Sequence, residues 1–346
     1  MRLLLALAVS TILSTSHATS NEYFSGTEDW TFVSVEGSYC RDGTEAGYFV
    51  KQGSSQNNKL MIYLGGGGAC FNFVSCAINR SSLGQTPNDR GILSSSNPEN
   101  PFRDWAKIFV PYCSGDVFAG TNLLGDVPGG GPRNQTFVGY NNIGLFSKDW
   151  VESFPNPDQV LLSGSSAGGI GATINFDQVQ EAFQDSPLSL ITDSGIIFSD
   201  DYMKACLQDR WRNVWGISEA LPKDCDACQQ ENGGGLSNYF RYIMAKYPDL
   251  RGGVVSSYSD AAMRFFFGYG AVGCNWQKSL SRNTFRSGLI DVVDNYFFSQ
   301  ISRFYFEGKG HVHATGNSFY ELEVEGTKLV DWYRFVIEGE GFDVAE

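Results

Sequence analysis

Gln159-Val160-Leu161-Leu162-Ser163-Gly164-Ser165-Ser166-Ala167-Gly168 is the stretch that decides how the rest of the chain reads. A short apolar run enters a G-x-S-x-G pattern, and a helix-compatible segment, expected over Ala167 to Phe183, leaves it. A strand that turns abruptly into a helix needs backbone without side chains on either side of the apex. The apex is Ser166, between Gly164 and Gly168. Such a turn lifts the hydroxyl clear of the sheet, and the helix N-terminus behind it favours developing negative charge. Five residues alone also fit an ordinary Gly-Ser turn. The strand before and the helix after favour a nucleophile.

The same grammar recurs outward from this point. Lys59 to Leu64 is apolar and runs into Gly65-Gly66-Gly67-Gly68. Ala106 to Val110 ends at Pro111, and Leu188 to Thr192 ends at Asp193-Ser194-Gly195. Gly253 to Ser257 and Ser302 to Phe306 complete the series. Continuous apolar runs of this length suit strands buried on both faces. Helix-like stretches lie between several of them, as at Ser259 to Phe267. The alternation predicts βαβ units in a mostly parallel central sheet with helices on both faces, and together with the elbow it predicts an α/β-hydrolase fold. Function in such sheets gathers in loops at the carboxyl ends of the strands. Residues 120–133, rich in Gly and Pro, read as a surface loop. Residues 206–240 carry three cysteines and Gly233-Gly234-Gly235, and read as a loop-rich, disulfide-stapled cap or insertion.

A serine hydroxyl needs a base. The chain has three histidines. His17 sits in the leader, so His311 and His313 remain, both after the last expected strand. His311 directly follows Gly310, which lets the backbone turn toward the site. Without the elbow both would read as surface loop residues; with it, one of them reads as the base. Asp260 follows the strand ending at Ser257 and is the natural third member, orienting the imidazole. Asp193 is its rival, although Asp193-Ser194-Gly195 reads better as a turn. The order Ser…Asp…His fits this fold. The glycine run can aim backbone N–H groups at an oxyanion, with Gly67, Gly68 and the N–H of Ala167 as candidates. A phosphate loop is the alternative, but no Gly-Lys-Ser/Thr follows.

The 346 residues, 42% hydrophobic, suit one catalytic domain over 19–346. Arg2 and the apolar run Leu3 to Leu13 precede Ser16-His17-Ala18, so residues 1–18 read as a signal peptide, too short for a membrane anchor. The protein is therefore expected to be secreted or periplasmic, with no membrane span. Eight cysteines then favour disulfides. Cys225-x-x-Cys228 stands without a second pair at ligand spacing, so neither a metal nor a cofactor is expected. A net charge of −13 argues against a nucleic-acid partner and disfavours polyanionic substrates. Asn79-Arg80-Ser81 and Asn134-Gln135-Thr136 are glycosylation sequons, meaningful only in a eukaryotic secretory route. Oligomeric state is not readable.

Further blocks extend the pattern: Tyr39 to Gly43, Leu64 to Asn72, Pro111 to Asp116, Gly164 to Gly169, Asp193-Ser194-Gly195, Tyr258-Ser259-Asp260 and Gly310-His311. Together they resemble the pectin acetylesterase/Notum family of carboxylesterases, from about Ser38 to Trp332. The resemblance implies a Ser166–Asp260–His311 triad with Gly67, Gly68 and Ala167 as oxyanion donors. It also implies disulfides Cys40–Cys113 and Cys70–Cys76. It leaves Cys206, Cys225, Cys228 and Cys274 unassigned. It implies removal of acyl groups, O-acetyl foremost, from an extracellular carbohydrate or a small ester. A fatty-acyl or lipid ester is the alternative, and a catalytically inactive binding protein on this fold is the alternative of another class. Gly68-Ala69 and Phe118 depart from the family pattern, at positions expected to line the acyl or leaving-group site.

Overall fold

The computed structural model describes residues 30–297 and 300–346. The expected leader, residues 1–18, lies outside them.

The strands in chain order are β1 (Thr31–Tyr39), β2 (Glu45–Lys51), β3 (Lys59–Leu64), β4 (Ala106–Val110), β5 (Asn122–Gly125), β6 (Gln135–Phe137), β7 (Gln159–Ser165), β8 (Leu188–Asp193), β9 (Arg251–Ser257), β10 (Tyr269–Gly270), β11 (Gly273–Gln277), β12 (Ile301–Phe306), β13 (Glu323–Val324), β14 (Thr327–Lys328) and β15 (Val344–Ala345). Nine of them form one sheet in the order β1-β2-β4-β3-β7-β8-β9-β12-β15. Only β1 and β2, at one edge, are antiparallel to their neighbours. From β4 to β15 every pairing is parallel.

Alternation along the central strands explains why their sequences look uniformly apolar. Leu60, Ile62 and Leu64 of β3 face one core, while Met61 and Tyr63 face the other. Val160 and Leu162 of β7 oppose Leu161 in the same way. The first core is closed by α2 (Gly139–Ser153), through Ile143, Phe146 and Trp150, and by α3 (Ala167–Ile174). The second is closed by α10 (Leu329–Glu338), through Trp332, Tyr333 and Val336. A sheet covered on both faces has no polar side to show, as in other parallel sheets.

Two expectations are corrected in detail. The helix after the elbow stops at Ile174, and α4 (Phe176–Ala182) restarts beyond Asn175. The Asn175 amide donates to Gly171 O (2.7 Å) and Phe118 O (2.9 Å), competing with the helical ladder. The segment read as a loop at 120–133 contains β5, which pairs with β6 as a small ribbon. Its exposed Leu123 and Leu124 gave no alternating pattern to read.

Cys40 pairs with Cys113, and Cys70 with Cys76. The first bridge closes a separation of 73 residues, which in a chain-entropy treatment contributes about 4 kcal/mol. The remaining four cysteines form Cys206–Cys274 and Cys225–Cys228. Cys206–Cys274 staples α5 (Ala205–Trp215) to the β10–β11 hairpin. In α5, Trp211 and Trp215 stack at 4.8 Å, and the Trp215 indole donates to Cys70 O (2.7 Å). The stapled stretch is thus braced against the loop after β3.

Candidate active site

The parallel register puts the strand ends side by side: Leu64 opposite Gly164, Ser165 opposite Asp193, and Ser257 opposite Phe306. The loops that carry Gly65 to Gly68, Ser166, Ser194, Asp260 and His311 therefore leave the carboxyl ends of the strands together.

Ser166 sits at the apex between β7 and α3 with φ 57° and ψ −121°, a conformation that costs a non-glycine residue energy and persists only where its surroundings impose it. Those surroundings are glycine. A β-carbon at Gly168 would lie 2.0 Å from Leu64 O, and one at Gly66 would lie 3.0 Å from the β-carbon of Ser166. The Ser166 N–H donates to Asp193 O (2.8 Å), and its carbonyl accepts from Gly169 and Ile170.

Asp260 is fully buried and uses both oxygens. Oδ1 accepts from the N–H groups of Ala262 and Met263, each at 2.9 Å, capping α7 (Ala261–Phe266). Oδ2 lies 2.8 Å from His311 Nδ1. Two helix N–H bonds and a neighbouring imidazole satisfy a carboxylate that burial would otherwise penalise. The arrangement gives Nδ1 the proton and leaves Nε2 basic.

The loop that carries His311 is pinned along its length. Ser257 Oγ donates to Gly310 O (2.7 Å). The Val312 N–H, on backbone with φ 67°, donates to Ser194 Oγ (3.1 Å). The N–H groups of His313 (2.7 Å) and Ala314 (2.8 Å) both donate to Asp193 Oδ2. Asp193 also accepts from Ser165 Oγ (3.3 Å) and Ser194 Oγ (3.1 Å), and Ser165 Oγ in turn meets the Tyr63 hydroxyl. Burial, and then the Asp193 charge, push the Tyr63 phenol far above its ordinary value, so it stays a neutral hydroxyl. Asp193 is more than the turn residue its sequence suggests, and it contacts the backbone of the histidine loop rather than the imidazole.

Among the described residues no acceptor takes the N–H of Gly67, Gly68 or Ala167. Gly68 has φ 80°, and a β-carbon there would meet Phe266 Cζ at 3.0 Å. Ser166, His311 and all four glycines line one cavity of about 500 Å3, with apolar walls from Tyr63, Ile78, Leu93, Phe109 and Phe266. His313 does not line it. Its ring packs edge-on against Phe306 at 4.8 Å. Phe118 does not line it either, contrary to expectation. That side chain is buried against Tyr112 at 4.9 Å, where α3 offers only Gly171. Ala69 is likewise buried and outside the cavity. No residue of the 206–240 stretch reaches the cavity. The described residues contain no group of His, Cys, Asp and Glu suited to a metal, and no helix long and apolar enough to cross a membrane.

Three residues that hold the loops around the cavity escaped the sequence reading: Ser194, Gln85, whose Nε2 donates to Gly66 O (3.2 Å), and Asn79, whose Nδ2 donates to Gly67 O (2.9 Å). Ser194 looked like a turn residue. Gln85 lies in an irregular stretch with no periodicity. Asn79 stood out only as a sequon.

A sheet of this order with a strained serine between β7 and α3 defines the α/β-hydrolase class of fold. Residues 25–247 match the family model described as pectinacetylesterase, and the chain belongs to that family. Among named relatives, palmitoleoyl-protein carboxylesterase notum1a of Danio rerio is 35% identical over 157 residues, 42% of this chain and 30% of the relative. Pectin acetylesterase 4 of Arabidopsis thaliana is 28% identical over 177 residues, 47% of this chain and 42% of the relative. The matched stretches thus span less than half the length of these relatives. The structure of the Wnt deacylase Notum from Drosophila superposes with a TM-score of 0.73 at 20% identity, covering 92% of this chain and 96% of that one. At that identity the likeness speaks for the fold.

Proposed function

We propose that this protein is a serine carboxylic ester hydrolase that works through an acyl-enzyme on Ser166. The observation that carries the reading is the 2.8 Å contact between His311 Nδ1 and Asp260 Oδ2 in the cavity that also holds the strained Ser166. In this mechanism Ser166 Oγ attacks the ester carbonyl as His311 Nε2 takes its proton. Asp260 holds the tautomer and stabilises the imidazolium. The N–H groups of Gly67, Gly68 and Ala167 receive the oxyanion. The imidazolium then protonates the leaving alcohol, and water repeats the cycle to release the acid.

The favoured substrate is an O-acetyl ester on a neutral extracellular carbohydrate. Family membership supports the acetyl group, and the charge of −13 disfavours a polyanionic backbone. Four disulfides support export to an oxidising compartment. One observation favours a second reading, a longer acyl chain: the cavity is far larger than an acetyl group needs, and Ile78, Leu93, Phe109 and Phe266 give it apolar wall beside the polar Gln85, Thr86 and Asn88. A series of p-nitrophenyl esters from acetate to palmitate separates the two. The first reading expects kcat/KM to peak at acetate, and the second expects a peak at eight carbons or more. Ser166→Ala is expected to abolish turnover and labelling by a fluorophosphonate probe while the protein folds. Absence of labelling in the unsubstituted protein would favour an inactive binding protein.

A further inference from the structure

Four consecutive glycines are a poor way to hold two N–H groups still. Glycine backbone is the most permissive there is, and an oxyanion site works only if its donors are aimed before charge develops. Something outside the loop must fix those peptide planes. In a trans peptide the carbonyl of one residue and the N–H of the next share a plane and point in opposite directions, and no cis peptide is present among the described residues. Fixing the carbonyl of Gly66 therefore aims the N–H of Gly67. Fixing the carbonyl of Gly67 aims the N–H of Gly68.

Both carbonyls are held by side-chain amides. Gln85 Nε2 donates to Gly66 O (3.2 Å), and Asn79 Nδ2 donates to Gly67 O (2.9 Å). We propose that Gln85 and Asn79 are positioning residues that set the two loop donors of the oxyanion site, one peptide plane each. The proposal rests on the reading of Ser166 as nucleophile.

The Gln85 amide is itself anchored to the sheet, and Asn79 is held through its main chain. Gln85 Oε1 accepts from the Tyr112 N–H (3.0 Å), just beyond the end of β4, so one carboxamide bridges a sheet strand to the loop. It packs against Gly65, where a β-carbon would lie 2.4 Å from Oε1. Asn79 ends α1 (Phe73–Ile78), which the Cys70–Cys76 bridge ties to the same loop. Asn79 is 7% exposed, and its main-chain carbonyl accepts from Arg41 Nη2 (2.9 Å), while its side-chain Oδ1 is buried without a partner among the described residues. The Tyr112 ring closes the underside, 2.8 Å from where a β-carbon at Gly67 would be. With the carbonyls turned onto these amides, the N–H groups of Gly67 and Gly68 are left to the cavity.

The test is steady-state hydrolysis of p-nitrophenyl acetate by the full chain carrying Gln85→Met, Gln85→Glu or Asn79→Ala, with melting temperature measured alongside. Gln85→Met is expected to lower kcat ten- to hundredfold with KM within threefold, because donors that stabilise only the transition state are misaimed. Gln85→Glu keeps the acceptor for Tyr112 but lacks the donor for Gly66, so it should not rescue. Affinity for methylboronic acid, which forms a tetrahedral adduct on the serine, should weaken in step with kcat/KM. A purely structural role would lower the melting temperature without that correlation. A Gln85 that touched substrate would move KM instead. A kcat within twofold of the unsubstituted protein, or a loss carried by KM, overturns the proposal. Gln85 is only half-buried, so its variants decide the matter even where Asn79→Ala fails to fold. If the unsubstituted protein does not hydrolyse the ester, or Ser166→Ala still does, the nucleophile reading has failed and this inference falls with it.

Discussion

Two fully buried aspartates end up at neighbouring strand ends, Asp193 at the last position of β8 and Asp260 three residues beyond β9. Both serve the same histidine loop, and they do it differently. Asp260 touches the imidazole through Oδ2 and caps α7 through Oδ1. Asp193 never reaches a ring. It gathers two backbone N–H groups, at His313 and Ala314, and two serine hydroxyls. One carboxylate meets the ring of the proposed base, and the other holds the backbone of the loop that carries it. A buried acid near a candidate histidine is thus not assigned by proximity. What decides is whether its oxygens meet ring nitrogen or main chain.

The largest effect is expected from Asp260→Asn. The amide oxygen can still cap α7, so the fold should survive. The amide N–H would face His311 Nδ1 and force the proton onto Nε2, the wrong tautomer for a base. We expect kcat to fall about 10³- to 10⁴-fold, with a melting temperature within a few degrees of the unsubstituted protein. A milder loss would mean that the imidazole does not depend on Asp260.

Asp193→Asn should be smaller in rate and larger in stability. Replacing a charged acceptor of four hydrogen bonds by a neutral amide costs about 1.5–3 kcal/mol, readable by urea denaturation. Activity should drop about tenfold, as the loop shifts, by a positioning effect. Equal rate losses for the two aspartates with unchanged stability would erase the distinction drawn between them.

Two weaker substitutions sharpen it. His313→Ala should keep at least a tenth of the activity, since Asp193 binds the backbone N–H at that position and the ring lies outside the cavity. Ser194→Ala removes the acceptor for the Val312 N–H and should cost about 1 kcal/mol of stability, with turnover within about threefold.

The elbow and the central strands were readable because their demands are local. A strained apex needs glycines beside it, and strands buried on both faces need continuous apolar runs. Asp260 was readable from its place just after a strand. The double duty of Asp193 was not, because its partners lie some 120 residues further on and are backbone groups that carry no residue signature. The edge strand β1, Thr31–Tyr39, was missed because its exposure follows no clean alternation. Gln85 and Asn79 were missed for a related reason. Their targets are glycine carbonyls, which any amide at the right place could bind.

Asn79 also bears on how the protein can be made. Its amide becomes enclosed only once the chain has folded around Gly67. A host that attaches N-linked sugars acts on chains still being exported, when Asn79-Arg80-Ser81 is as open as Asn134-Gln135-Thr136. The two acceptors then part company. Sugar on the exposed Asn134 decorates a finished surface, whereas sugar on Asn79 must be accommodated where the folded protein has no room. Production in such a host becomes a race between transfer and closure, and its yield divides between chains that closed first and chains that were marked first. A host without that machinery runs no such race.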